Sequence, residues 1–199
     1  MSRFAFLDAP TPLAIAHRGG DEVAPENTLR AFQAAHDAGF RYLETDVHVS
    51  SDGTLFAFHD DVLDRVTDRT GPLHRRTAEE LHEVRIAGTD PIPTLDELLS
   101  AFGDVRWNID PKSDDAVVAL AHALRRHDAV DRVNVGAFSH GRLRRLRSLL
   151  GPSLCTAGGL ADDASGRSAS RVLVSRRRSS SPPYGCFQVP ARCRRSAVV

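Results

Sequence analysis

The sequence predicts an α/β fold built on a parallel sheet, either an open doubly wound sheet or a closed β/α barrel. Three observations carry that prediction. Short apolar runs alternate with helix-periodic segments as far as about residue 160. The polar interruptions between them are short, apart from residues 60–92. Charged residues and glycines also collect where the apolar runs stop, as where Leu13-Ala14-Ile15-Ala16 gives way to His17-Arg18-Gly19-Gly20. In parallel α/β folds that strand end is where ligands bind.

Taken in order, strands are expected over residues 13–17, 42–49, 55–59, 105–110, 132–138 and 153–157, and helices over 28–38, 77–84, 95–101, 114–127 and 141–150. In the first helix Leu29, Phe32 and Ala35 share one face, Asn27 is read as the N-cap, and Gly39 is a natural stop. In the fourth, Val117, Leu120, Ala121 and Leu124 form an apolar stripe. Residues 60–92 are polar and turn-rich and read as an excursion after the third strand. From about Ala161 no period remains and the text is mostly Ser, Arg, Pro and Gly. Such a segment cannot bury enough apolar surface to offset its ordering entropy, so a basic, disordered tail is expected over 161–199.

Composition narrows the function classes. Of 199 residues, 41% are hydrophobic and 26% charged, as in an ordinary globular domain. No apolar run has the length of a membrane span, and Met1-Ser2-Arg3-Phe4 leads to no signal-peptide core. Cys155, Cys186 and Cys193 form neither a disulfide framework nor a zinc pattern. A cytoplasmic protein without stable membrane insertion is expected. The zero net charge hides an asymmetry: residues 161–199 carry 8 Arg and 2 Asp, so the rest is acidic. The tail's only aromatics are Tyr184 and Phe187, too few for base stacking, so no nucleic-acid role is expected.

The chemistry concentrates at strand ends. Glu44 and Asp46 lie two apart on one strand and therefore point to the same side. Either that side meets solvent or a cation lies between them, and oxygen donors suit Mg²⁺, Ca²⁺ or Mn²⁺. In Val105-Arg106-Trp107-Asn108-Ile109-Asp110-Pro111-Lys112, Asn108, Asp110 and Lys112 share a face opposite Trp107 and Ile109. Lys112 is the only lysine, and a compact ammonium suits a phosphate oxygen. His17 and His59 both close strands, and imidazoles can serve as general base and general acid together.

In series, the motifs AHRGGDEVAPENTLRAF, LETDVHVSSDGTLFAFHDDVLDRVTDRTG, IPTLDELL and WNIDPK resemble those of the glycerophosphodiester phosphodiesterase family, over roughly residues 12–160. The resemblance implies a TIM-type (β/α) barrel, residues 1–160, with a small insertion at 60–92. It implies metal-dependent hydrolysis of glycerophosphodiesters to glycerol 3-phosphate and an alcohol. By the same resemblance Glu44, Asp46 and Asp110 hold the divalent cation, His17 and His59 are the acid–base pair, Arg18 and Lys112 contact the phosphate, and Glu26 and Asn27 support the site. Other readings are a phospholipase D- or C-like enzyme acting on lysolipids, or an inactive truncated product. Two departures from the family stand out. Asp110 occupies a position where the family more often has Glu, so its carboxylate reaches one methylene less far. The family's late Trp-Thr-Val-Asn and Thr-Asp strands have no counterpart; Tyr184–Arg192 echoes a late strand only weakly. The barrel is expected to be incomplete, and the Arg/Ser-rich ending resembles out-of-frame translation of a GC-rich gene.

Overall fold

The structure, a computed structural model, describes residues 3–10, 13–20 and 22–157. The expected tail, Cys186, Cys193 and the segment 184–192 lie outside the described residues. The elements, in chain order, are β1 (Ile15–His17), α1 (Leu29–Asp37), β2 (Tyr42–Val49), β3 (Leu55–Ala57), α2 (Ala78–His82), β4 (Arg85–Ile86), β5 (Asp90–Pro91), α3 (Leu95–Ala101), β6 (Arg106–Pro111), α4 (Ala116–Arg126), β7 (Val133–Val135), α5 (His140–Leu150) and β8 (Cys155–Thr156). The main sheet runs β1-β2-β6-β7-β8, every neighbouring pair parallel, and it stays open among the described residues.

Side-chain parity divides this sheet. Leu43, Val47, Trp107, Ile109, Val133 and Val135 belong to the main core with Phe32, Leu120, Leu124, Leu143 and Leu146 of the covering helices. Phe32 meets the Trp107 ring edge-on at 5.0 Å between centroids. The other face starts at Tyr42, whose hydroxyl donates to the Phe6 carbonyl (2.6 Å) and which packs with Phe4, Phe6 and Cys155. The N-terminal segment thus covers the entry ends of the strands on this face. Above Tyr42 the residues turn polar.

One strand departs from the expected parallel order. β3 pairs antiparallel with β2, Val49 opposite Leu55 and Val47 opposite Ala57. Asp52-Gly53, with Gly53 at φ +93°, makes the reversal between them. β1 pairs with β2 only from Tyr42 to Glu44, and β6 fills the other edge. β3 therefore occupies the stretch of edge that β1 leaves. The strand also ends at Ala57, two residues short of the expected span.

The excursion 60–92 is better built than its polarity suggests. Phe56, Phe58, Leu63, Leu73, Leu81, Val84, Ile86 and Ile92 form a second buried cluster. Thr77 and Glu80 make a capping box at the start of α2, and β4 and β5 form a two-stranded ribbon. The bidentate pair Arg30–Asp90 (2.7 and 3.1 Å) ties the insertion to α1.

The start of α1 corrects the expected N-cap. Thr28, not Asn27, accepts from the Ala31 amide (3.1 Å) and donates to the Pro25 carbonyl (2.7 Å). Asn27 is left-handed (φ +57°), and its Oδ1 accepts instead from the Thr45 hydroxyl (2.9 Å). Gly19 has a related task. Its φ is +80°, and a Cβ there would stand 2.9 Å from the backbone of Ala31 and Phe32. Its freedom serves close packing on α1. Gly19→Ala is expected to lower unfolding stability by about 2–4 kcal/mol in urea titrations, combining positive-φ strain with overpacking. A change within about 0.5 kcal/mol, the usual range for surface substitutions, would contradict that close approach.

Candidate active site

The polar face is assembled by register. His17 lies opposite Glu44, Glu44 opposite Asn108, and Asn108 opposite Asn134, giving one row across four strands. Asp46 lies opposite Asp110 in the next row. Both Glu44 and Asp46 are buried, at 4% and 3% exposure, which removes the solvent-facing reading of that strand face. Asn134 donates to Asn108 Oδ1 across the row (2.6 Å).

The antiparallel β3 explains how His59 joins this face. β1 runs toward the middle of β2 and ends with the Arg18 amide donating to the Glu44 carbonyl (3.0 Å). β3 runs back from the opposite direction and ends with the Phe58 amide donating to the Asp46 carbonyl (3.0 Å). His17-Arg18 and His59 thus approach each other along one edge of β2, above Glu44–Asp46. The two histidines do not close parallel strands, as the sequence suggested; they converge head-on. His48 Nε2, from β2 itself, contacts the His59 carbonyl at 3.1 Å.

A chain of ion pairs runs over this face. Lys112 Nζ stands between Asp46 Oδ1 (2.6 Å) and Asp110 Oδ2 (3.0 Å). Arg18 Nε lies 3.2 Å from Asp46 Oδ2, and its Nη1 donates to Glu26 (3.3 Å). Arg65 Nη2 donates to Glu26 Oε1 and Arg65 Nε to Asp60 Oδ2, both at 2.5 Å. Asp60 Oδ1 in turn meets His59 Nδ1 at 2.5 Å. His17 Nε2 is 3.8 Å from Glu44 Oε2, which also accepts from the Arg18 amide (3.1 Å). Glu26 and Arg65 also line a cleft of about 500 Å³ with Val66, Asp68 and Ile86.

Burial and like charge govern the protonation of this cluster. Burial, helped by the Asp46 charge, pushes the Glu44 carboxyl up to about 8. Burial also raises Asp110, only partly offset by Lys112. Burial pulls on Lys112 too, but the Asp46 and Asp110 carboxylates hold its ammonium above the usual lysine range. Burial and the adjacent Arg18 charge push the His17 imidazole down. Burial opposes ionisation of Glu26 and Asp60, yet the hydrogen bonds from Arg65 leave both below the usual carboxylate range.

Among the described residues, no three acidic, His or Cys side chains form a ready metal cage. The donor set still fits a hard cation. Glu44, Asp46 and Asp110 offer oxygen only, from two rows of one buried face. Asp46 Oδ2 is buried and accepts no hydrogen bond, although Arg18 Nε stands 3.2 Å away as an ion-pair partner. The Lys112 ammonium already fills the space between two of the three carboxylates.

The glycerophosphoryl diester phosphodiesterase family profile matches residues 17–150, from His17 through to the end of α5. The chain belongs to this family. The phosphodiesterase match takes in His17, Arg18, Glu26, Asn27, Glu44, Asp46, His59, Asp110 and Lys112. Among curated relatives, the Mycobacterium tuberculosis protein named probable glycerophosphodiester phosphodiesterase 2 is 36% identical over 155 residues, covering 77% of this chain and 59% of its own length. A glycerophosphodiester phosphodiesterase from Caldanaerobacter subterraneus is 33% identical over 152 residues, covering 69% of this chain and 62% of its own length. The chain thus spans about six tenths of the length of these two curated relatives. An Oleispira antarctica phosphodiesterase, solved in complex with the product sn-glycerol-3-phosphate, superposes with a TM-score of 0.66 at 30% identity, over 73% of this chain and 65% of that one. The fold is the TIM-type β/α architecture of these relatives, of which the described residues form an open sheet.

Three residues of this polar face were given no role from the sequence. Arg65 and Asp60 sit in the excursion, where no periodicity singles them out, and His48 was hidden on the strand bearing Glu44 and Asp46. Among the described residues, no helix is long and apolar enough to cross a membrane.

Proposed function

We propose that this face hydrolyses glycerophosphodiesters to glycerol 3-phosphate and an alcohol. The observation that carries the reading is the convergence of His17 and His59 from opposite directions over Glu44, Asp46 and Asp110. The Oleispira relative's product complex supports the substrate class. Glu44, Asp46 and Asp110 would hold one divalent cation, Mg²⁺, Ca²⁺ or Mn²⁺. When bound, it supplies charge neutralisation for the phosphodiester and for the charge growing in the transition state.

The chain's own residues do the rest. Arg18 and Lys112 orient the phosphate by hydrogen bonds, and Glu26 and Asn27 hold the Arg18 loop in place from behind. His17, kept neutral by its lowered pKa, takes the proton from the attacking hydroxyl, of water or of glycerol C2; attack by the C2 hydroxyl gives a cyclic phosphate, which a water must then open to yield glycerol 3-phosphate. The new O–P bond forms as the P–O bond to the alcohol breaks. His59, with Nδ1 engaged by Asp60, gives a proton to the departing alkoxide from Nε2. The protein works as a hydrolase on a small molecule in solution, and a cytoplasmic site of action is part of the proposal.

Turnover of glycerophosphocholine by the full chain with Mg²⁺, Ca²⁺ or Mn²⁺, abolished by EDTA, is the test. Mass spectrometry must find glycerol 3-phosphate and choline; phosphocholine would reassign the chemistry to a phospholipase C-like cleavage. No turnover with any of the three cations sinks the proposal. The pH profile is a further expected outcome. Because the His17 pKa is lowered, its proton-accepting form persists below the ordinary histidine midpoint. The ascending limb of kcat/KM should therefore fall below about 6.5, and a limb above that value contradicts the assignment.

A further inference from the structure

We propose that Arg65 is a positioning residue that locks the His59 imidazole through Asp60, with Glu26 as its anchor. The inference rests on the function proposed above.

The geometry is specific to a guanidinium. Arg65 directs Nε to Asp60 Oδ2 and Nη2 to Glu26 Oε1, so one rigid fork spans two carboxylates 34 residues apart in the chain. The first carboxylate sits on the excursion and the second on the loop between β1 and α1. Asp60 holds His59 Nδ1 through its other oxygen (2.5 Å). A carboxylate free to rotate could not fix the imidazole plane; one pinned at its second oxygen can.

Arg65 is itself held firmly. Leu63, fully buried, anchors the preceding turn, and its carbonyl accepts from the Thr67 amide (3.2 Å) and hydroxyl (2.8 Å). The Ala87 amide donates to the Val66 carbonyl (2.8 Å), and the Asp68 amide to the Arg85 carbonyl (3.1 Å). The insertion's own core therefore sets where the guanidinium sits. This gives residues 60–92 a role in the chemistry: they carry the brace for one of the two histidines.

The Arg65 side chain is 48% exposed, and such ion pairs contribute little to stability. Arg65→Gln is therefore expected to fold and to fail in positioning alone. The readout is the leaving group. An alkoxide such as that of choline needs a proton as it departs, whereas p-nitrophenolate does not. With full chain and Mg²⁺, the Arg65→Gln kcat on glycerophosphocholine is expected to fall by about 10–100-fold, the usual cost of a misplaced catalytic group. On glycerophospho-p-nitrophenol the loss should be small. His59→Ala should give the same contrast in larger measure, and Asp60→Asn should share it. Equal losses on both substrates, or no loss on either, overturn the positioning role. A wild-type chain inert toward both substrates instead overturns the parent reading and this inference with it. An active wild type whose His59→Ala variant lacks the contrast removes the proton donor through which Arg65 acts, and so overturns the inference.

Discussion

Glu44→Gln is expected to abolish hydrolysis of glycerophosphocholine, by at least about 10³-fold in kcat/KM, while raising the melting temperature of the metal-free protein. Both effects have one cause. Glu44 is buried beside Asp46, and that setting pushes its carboxyl up to about 8. The folded state therefore holds the Glu44 proton more tightly than the unfolded chain does. The sign follows: below the unfolded value near 4.5 the group costs nothing, and the cost of ionising it grows as pH rises toward 8. A neutral amide of the same shape escapes that cost at pH 8. A gain of about 1–2 kcal/mol there would raise Tm by about 2–8 °C in a protein of this size. With divalent cation the order should reverse. Wild type gains RT ln(1 + [M]/Kd) from a ligand that binds only the folded state, and the Gln variant, lacking one anionic ligand, gains far less. Differential scanning fluorimetry at pH 8, with EDTA and with a cation series, reads both halves. A Gln variant less stable than wild type in EDTA would show that Glu44 is compensated already, and the case for a cation there would lapse.

How far this site could be read from sequence depends on the kind of signal each residue leaves. Glu44 and Asp46 were legible because a strand's parity is strict, so two carboxylates two apart must share a face. Trp107 and Ile109 were legible as core for the same reason. The stripe Val117, Leu120, Ala121 and Leu124 announced α4 because a helix buries residues at a period near 3.6, and all four are buried. Strand direction leaves no such mark in three residues, so β3 was read as parallel. Asp52-Gly53 is the reversal signal that could have corrected it. The cap at Thr28 was missed because Asn27 has the right chemistry, but Thr45, from β2, takes its carbonyl oxygen. Arg65 lies further out of reach. Its partners are 5 and 39 residues away in loops, and pairing over such spans is set by the insertion's packing, not by any local pattern.

Lys112→Met carries the other large expected effect. Its ammonium stands 2.6 Å from Asp46 and 3.0 Å from Asp110, both buried. Removing it leaves two facing carboxylates with Arg18, 3.2 Å from Asp46, and the charge of Arg142 acting on Asp110. Breaking a buried pair from one side costs about 3–5 kcal/mol, which urea unfolding in EDTA at pH 8 should register. The loss should shrink as pH falls. Burial already holds Asp110 above the usual carboxylate range, and without Lys112 it rises further, so the folded state takes up a proton and relieves the repulsion. A divalent cation should do the same at pH 8, because the same carboxylates would hold it. Stability that returns with cation while turnover does not would separate two roles of one side chain. Charge compensation is work a metal can take over, whereas contact with the substrate phosphate needs the lysine itself. A loss below about 1 kcal/mol, the level of an exposed pair, would instead mean that water reaches these carboxylates freely. The low-dielectric setting that the proposed catalysis relies on would then be absent.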